Sequence, residues 1–219
     1  MAQQILVIGL GQFGMALAAA LASKGAEVLA VDVNKELVKE AATFATEALA
    51  FDATDEEELA KLEPGKRDAA VCAIGDESRE ASIICTALLR QMGNPKVIAR
   101  ANSSMHQRIL RLVGAHQILN PEHEFGNRFA NRLIYSNLVA DMPLGDGLHL
   151  SEINVHESMV GKTLIELELP KKYGVMVVAL RRGSPSKIYE PDPHKPLEED
   201  DTMVVVSKEE SIKRLMEGN

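Results

Sequence analysis

The chain has 219 residues, 46% hydrophobic and 26% charged, a balance that fits a soluble globular protein of one or two domains. Its 24 Lys plus Arg against 32 Asp plus Glu give a net charge of −8, which argues against a nucleic-acid partner, and two cysteines exclude a disulfide-rich secreted scaffold. No apolar run approaches the ~20 residues of a membrane-spanning helix, so action at a membrane would go through a partner.

Residues 4–120 alternate short apolar runs with longer amphipathic ones. The predicted strands are Ile5–Ile8, Val28–Val31, Ala48–Phe51, Ala69–Ala73, Val97–Ala99 and Gln117–Leu119. The predicted helices are Gln12–Lys24, Lys35–Thr43, Asp55–Leu62, Glu77–Met92 and Ser103–Val113. Strands this apolar, separated by helices, predict an α/β fold: a Rossmann-type doubly wound parallel sheet covered on both faces. Met15–Ser23 has the small residues of a signal-peptide core, but no Lys or Arg precedes Lys24. The run reads better as the first helix, small-faced so that it lies close on the sheet. The chain is read as cytoplasmic, with reduced thiols.

Residues 121–138 predict a further helix, with Pro121 and Glu122 in its first turn and Phe125, Phe129, Leu133 and Ile134 at helical spacing. Met142–Gly147, with its Pro and Gly, reads as a linker. Beyond it, strands Leu148–Val155, Val175–Arg181 and Thr202–Ser207 flank a helix near Lys162–Leu169 and a loop carrying Pro185, Pro191, Pro193 and Pro196. Glu198–Asp201 reads as a solvated turn, and Glu209–Met216 as a closing helix. This α+β module of roughly 70 residues is near the lower size for a domain that folds alone, and pairing with a copy of itself would complete its core. Three parts are expected: 1–120, a crossover helix and linker at 121–147, and 148–219.

The strongest chemical signal is Gly9-Leu10-Gly11-Gln12-Phe13-Gly14. It follows an apolar strand, opens a helix and is followed by Asp32 at the end of the next strand, the context a dinucleotide fingerprint requires. Gly9 allows the tight turn, Gly11 lets backbone approach a pyrophosphate, and Gly14 lets the helix pack on the sheet. The helix N-terminus offers free N–H groups to phosphates. Asp32 is placed to accept from ribose hydroxyls. A carboxylate there repels a 2′-phosphate, and Val33, Asn34 and Lys35 bring no Arg, so an NAD- or ATP-like ligand is expected rather than NADP.

Three more segments fall at strand C-termini, where an open parallel sheet binds ligands. Asp52-Ala53-Thr54 ends the third strand. Asp52 either accepts from an adenine amino group or caps the following helix, where Thr54 with Glu57 also fits a capping box. Ala73-Ile74-Gly75-Asp76 ends the fourth strand, and Gly75 allows close approach of a ligand. Arg100 ends the fifth, placed either to reach a phosphate or to pair with an acid. Cys72 and Cys85 read as small core residues. The six histidines show no metal-ligand spacing.

With these residues placed, the whole chain resembles the RCK (TrkA/KtrA) family, cytosolic regulatory subunits of potassium channels and transporters. The matching segments are IGLGQFG at Ile8–Gly14, AVDVN at Ala30–Asn34, FDATDEEEL at Phe51–Leu59, VCAIGDESREAS at Val71–Ser82, VIARANS at Val97–Ser103 and GAHQILNPE at Gly114–Glu122. In the second domain they are Ser158–Gly183 and Leu197–Ser207. The resemblance implies dimers formed through the helix after the sixth strand, and four dimers in an octameric ring. It implies an integral-membrane potassium-translocating partner of the KtrB/TrkH kind, under which the ring sits at the inner face of the cell membrane. It implies gating by ATP against ADP, or NADH against NAD, with no catalysis. It places Glu122 near the nucleotide phosphates, where it would help hold a divalent cation, Mg or Ca; the bare residue reads equally as a first-turn acid facing the helix dipole. It also implies cyclic di-AMP in the C-terminal domain. One position departs: the family commonly has Arg where this chain has Gln12, which brings no charge to a terminal phosphate. The alternative reading is a small NAD-dependent oxidoreductase, which would need a positioned acid or base over the nicotinamide; the second domain offers few polar convergences, and His149 and His156 lie in its first segment without an obvious partner.

Overall fold

A computed structural model describes residues 2–183 and 187–217, with the side chain of Asp76 outside the description. Pro185 lies outside the described residues. The chain forms two compact units, dividing between Glu124 and Phe125.

The first unit runs β1 (Gln4–Ile8), α1 (Gln12–Ser23), β2 (Glu27–Asp32), α2 (Lys35–Ala41), β3 (Glu47–Ala50), α3 (Glu56–Lys61), β4 (Ala69–Cys72), α4 (Arg79–Gln91), β5 (Val97–Arg100), α5 (Ser104–Leu112) and β6 (Gln117–Leu119). The six strands pair in parallel in the order β3-β2-β1-β4-β5-β6. Successive side chains of β1 point to opposite faces. Ile5 and Val7 join a core with Ala18 of α1 and with Val38 and Ala41 of α2. Leu6 and Ile8 join another with Leu59 of α3, Leu89 of α4 and Leu110 of α5. An apolar strand without a polar face therefore marks a sheet covered on both sides. Cys72 and Cys85 are buried within the second of these cores. The Cys72 hydrogen bond and burial together hold the Cys85 thiol above its usual range.

Helix α6 (Pro121–Ile134) is shorter than the expected 121–138 and spans the division between the units. The second unit continues with β7 (Leu138–Gly145), β8 (Leu148–Asn154), α7 (Leu164–Leu167), α8 (Leu169–Tyr173), β9 (Met176–Arg182), β10 (Lys187–Tyr189), β11 (Thr202–Lys208) and α9 (Glu209–Glu217). Its sheet is antiparallel, in the order β10-β9-β11-β8-β7. Leu138, Ile153, Leu169, Met203, Val205 and Leu215 are buried in its core.

Three expectations change here. Met142–Gly147 is not a linker: β7 runs through Met142 to Gly145, and a hairpin turn at Asp146-Gly147 returns the chain into β8. Both turn residues have positive φ, 51° and 73°, as the favoured two-residue hairpin requires. Pro143 is tolerated because β7 is an edge strand, where a missing N–H costs no ladder bond. The helix expected near Lys162–Leu169 breaks in two at Glu168, which is left-handed (φ 46°), just before Leu169-Pro170 restarts the chain as α8. Its start is a capping box between Thr163 and Glu166. Finally, Asp201 is not solvated. It is 1% exposed and takes a bidentate pair from Arg182, with Nε at 2.6 Å and Nη2 at 2.7 Å.

Candidate functional site

The strand order reverses between β1 and β4, and at that point the C-terminal ends of the strands open a crevice. A cleft of about 470 Å3 occupies it. Gly9, Gly11, Asp32, Val33, Asp52, Ala53, Ala73, Ile74, Gly75 and Arg100 all line it, so five strand ends converge on one surface.

The three glycines of the first loop do three different things. Gly9 has φ +91°, and a Cβ there would sit 2.9 Å from the Ile74 backbone nitrogen, where the loop crosses the end of β4. A Cβ on Gly14 would run into the Gly9 carbonyl oxygen, so α1 closes tightly on its own entry turn. A Cβ on Gly11 would meet nothing within 4 Å. Gly11 also begins α1 without any side-chain cap, so the first-turn amides take no side-chain acceptor there. Gln12, Phe13 and Gly14 lie in that turn and do not line the cleft themselves.

Asp32 fixes the loop from the next strand. Its Oδ2 accepts from the Leu10 amide at 2.6 Å and its Oδ1 from the Asn34 amide at 2.8 Å. Each oxygen keeps a further lone pair for a ligand. Asp52 accepts at Oδ1 from the Thr54 amide (2.9 Å) and hydroxyl (2.8 Å). These two bonds hold its carboxyl below the ordinary aspartate range. Asp52 does not cap α3, and neither does Thr54. Asp55 does, accepting from the Glu57 and Glu58 amides. The cap must directly precede the first helical residue, here Glu56, and Thr54 stands one residue too early.

Of the two roles expected for Arg100, pairing with an acid is the one present. Its Nη2 pairs with Glu122, and its guanidinium carbon lies 5.9 Å from the centre of the Phe13 ring. Its Nε is buried without a hydrogen-bond partner among the described residues. A buried N–H left unpaired is costly, and Arg100 lines the cleft. Glu122 itself does not line the cleft. Glu122 is half-exposed and paired with Arg100, and among the described residues no group of three His, Cys, Asp or Glu is placed to hold a metal.

Sequence reasoning missed several lining residues. Leu37 and Phe51 give the cleft an apolar wall on the β2–β3 side. Phe51 directly precedes Asp52, so its place at a strand end was legible. Glu77 and Ser78 lie in a short 3-10 turn, Asp76–Ser78, between β4 and α4. Nothing in the sequence separates that turn from the helix that follows.

In the second unit, the small cavity of about 10 Å3 beside Asn131 and Tyr135 has room for little more than a water molecule. His149 there sits 3.0 Å from Asp141, which also accepts from Ser151. His156 accepts from the Ser158 amide.

Comparison with known proteins follows these two units. The TrkA-N domain family matches residues 5–121, and the TrkA-C domain family matches residues 148–217. The chain is 38% identical over 210 residues to the Ktr system potassium uptake protein A of Vibrio alginolyticus, covering 96% of this chain and 94% of that one. It is 32% identical to the Ktr system potassium uptake protein C of Bacillus subtilis, covering 98% and 96%. Among solved structures, the GsuK channel superposes with a TM-score of 0.67 at 19% identity over 98% of this chain. This chain spans 39% of that channel chain.

Proposed function

This chain belongs to the family of TrkA-N and TrkA-C domain proteins, Ktr potassium uptake proteins among them, and on that premise we propose that it is the nucleotide-sensing regulatory subunit of a Ktr-type potassium uptake system. An adenosine nucleotide, ATP or ADP or NAD(H), lies along the cleft of the first unit. The observation that carries this reading is the pair formed by Gly11 and Arg100: open space before the uncapped amides of α1, and a buried guanidinium N–H without an acceptor. Phosphate oxygens answer both. Asp32 takes the ribose hydroxyls, Asp52 the adenine amino group, and Leu37 with Phe51 the flat face of the base. The GsuK channel bound to NAD superposes over 99% of this chain with a TM-score of 0.64, and GsuK bound to ADP over 60% with a TM-score of 0.50.

No bond is made or broken in this account. The ligand works by binding one arrangement of the assembled subunits better than another, and shifts the balance by that difference alone. The assembly surface is α6, where Phe125 and Phe129 stack at 5.9 Å and remain exposed together with Leu133 and Ile134. A second copy buries this stripe, and dimers close into the octameric ring. Among the described residues no helix is long and apolar enough to cross a membrane. In this reading, which the Ktr relatives support, the ring acts at the cytoplasmic face through an integral-membrane potassium-translocating partner. Exposed Met176, Val178 and Ile188 offer apolar surface for cyclic di-AMP once two second units pair. The oxidoreductase alternative finds its histidines engaged elsewhere, His149 by Asp141 and His156 by Ser158.

A thermal-shift series with ATP, ADP, NAD and NADH tests the reading, since a ligand that binds only the native state raises the midpoint. At least one nucleotide is expected to raise it by several degrees, with no NADH consumed. A flat response to all four contradicts the proposal.

A further inference from the structure

The charges in the cleft separate one class of nucleotide from another. The strand order divides the lining into two halves. On the β1–β3 side stand Asp32 and Asp52; on the β4–β5 side stand Gly75, Glu77, Ser78 and Arg100. Glu77 is exposed, yet its carboxylate turns back over the end of β4: both oxygens lie 2.7 Å from where a Cβ on Gly75 would be. Its charge therefore borders the cleft at the end of β4, although the side chain is open to solvent.

Among the described lining residues the carboxylates are Asp32, Asp52 and Glu77, and the cation is Arg100, whose Nη2 already serves Glu122. Gln12, at the start of α1, adds no charge. A nucleoside triphosphate ends in free, multiply charged phosphate that would meet the Glu77 carboxylate with one guanidinium N–H to offset it. A dinucleotide differs in both respects. Its phosphates are internal and carry less charge, which suits Arg100 Nε and the α1 amides. Its far end is a second ribose, whose hydroxyls need an acceptor of the kind Asp32 offers the first.

We infer that Glu77 is a specificity-determining residue of this cleft: its carboxylate accepts from the second ribose of a dinucleotide and repels the terminal phosphates of a nucleoside triphosphate. This rests on the nucleotide reading above and goes further in assigning the residue and the ligand class it selects.

The test is calorimetric titration of the full-length assembled protein with NAD, NADH, ADP and ATP in EDTA, for the unaltered chain and for Glu77→Gln. The exposed position and near-identical shape keep the variant folded, which circular dichroism checks. The unaltered chain is expected to bind NAD or NADH about 10-fold or more tightly than ATP, and Glu77→Gln to raise ATP affinity and lower dinucleotide affinity by about 5-fold each. ATP binding as tightly as both dinucleotides, or a ratio unchanged in Glu77→Gln, overturns the inference and leaves the nucleotide reading standing. Binding of none of the four overturns both.

Discussion

The two sheets of this molecule solve different problems. In the first unit, β1 sends Leu6 and Ile8 into one core and Ile5 and Val7 into another, so both faces are used for stability and only the strand ends are left for chemistry. In the second unit, β11 buries Met203 and Val205 in one core, while Met176 and Val178 of the neighbouring β9 stay exposed. A sheet sealed on both faces presents a site at its edge. A sheet that leaves apolar side chains in water presents a surface, and in the proposed ring a second copy takes it. The polar devices differ too. The first unit leaves an arginine N–H unsatisfied at the cleft, whereas the second spends Arg182 fully on Asp201 and Glu198.

The largest effect that would sharpen this contrast lies in the first loop. Gly14→Val should destabilise the first unit by ~3 kcal/mol or more, because its Cβ has no room beside the Gly9 carbonyl. Chemical denaturation followed by circular dichroism reads this, and an unchanged midpoint would mean the turn is looser than described. Gly11→Asp, three residues away, should leave the fold intact and abolish nucleotide binding, since space is open there and a carboxylate would repel phosphate.

In the second unit, Arg182→Ala should cost about 2 kcal/mol, the lower side of the penalty for stripping a buried carboxylate of its partner, because Arg182 itself is partly exposed. Burial pushes the Asp201 carboxyl up, but the bonds from Arg182 and the Glu198 amide outweigh it, and the net shift is down. A carboxyl lowered on folding contributes stability at neutral pH, and that contribution is lost as the pH falls through and below the ordinary aspartate range. Without Arg182 only the Glu198 amide opposes burial, so acid unfolding of the variant should begin at a higher pH. An unshifted acid transition would show that the pair is not what holds the loop before β11.

A smaller effect on stability, though a large one on assembly, is expected at α6. Leu133→Glu should lower the particle mass in light scattering without lowering the thermal midpoint by more than ~0.5 kcal/mol equivalent, as suits an exposed position. Retained mass would place the contact between copies elsewhere. Asp55→Ala has no effect on assembly or nucleotide binding to add to its stability effect: loss of the α3 cap should cost ~1 kcal/mol by the same denaturation assay.

How much of this the sequence disclosed also differs between the units. Six apolar strands and a glycine loop before a helix leave little freedom, and the cleft followed from strand order, since ligands gather where it reverses. What local pattern did not disclose was which of Asp52, Thr54 and Asp55 caps α3, because all three are competent caps and only the position of Glu56 decides. Glu77 was also hidden, since its carboxylate reaches the cleft through a 3-10 turn that reads as helix. In the second unit, Pro143 disguised an edge strand as a linker, although Asp146-Gly147 is itself a hairpin signal. Asp201 read as solvated because its partner Arg182 is 19 residues away in sequence.

The central claim is that an adenosine nucleotide occupies the crevice opened by Gly11. Equilibrium binding of ATP, ADP, NAD and NADH to the intact protein and to Gly11→Asp, with folding of both verified, tests it most directly. The account predicts saturable binding of at least one nucleotide at one per chain, lost in the variant. Equal affinity in the two proteins would place the ligand somewhere other than this loop and contradict the account.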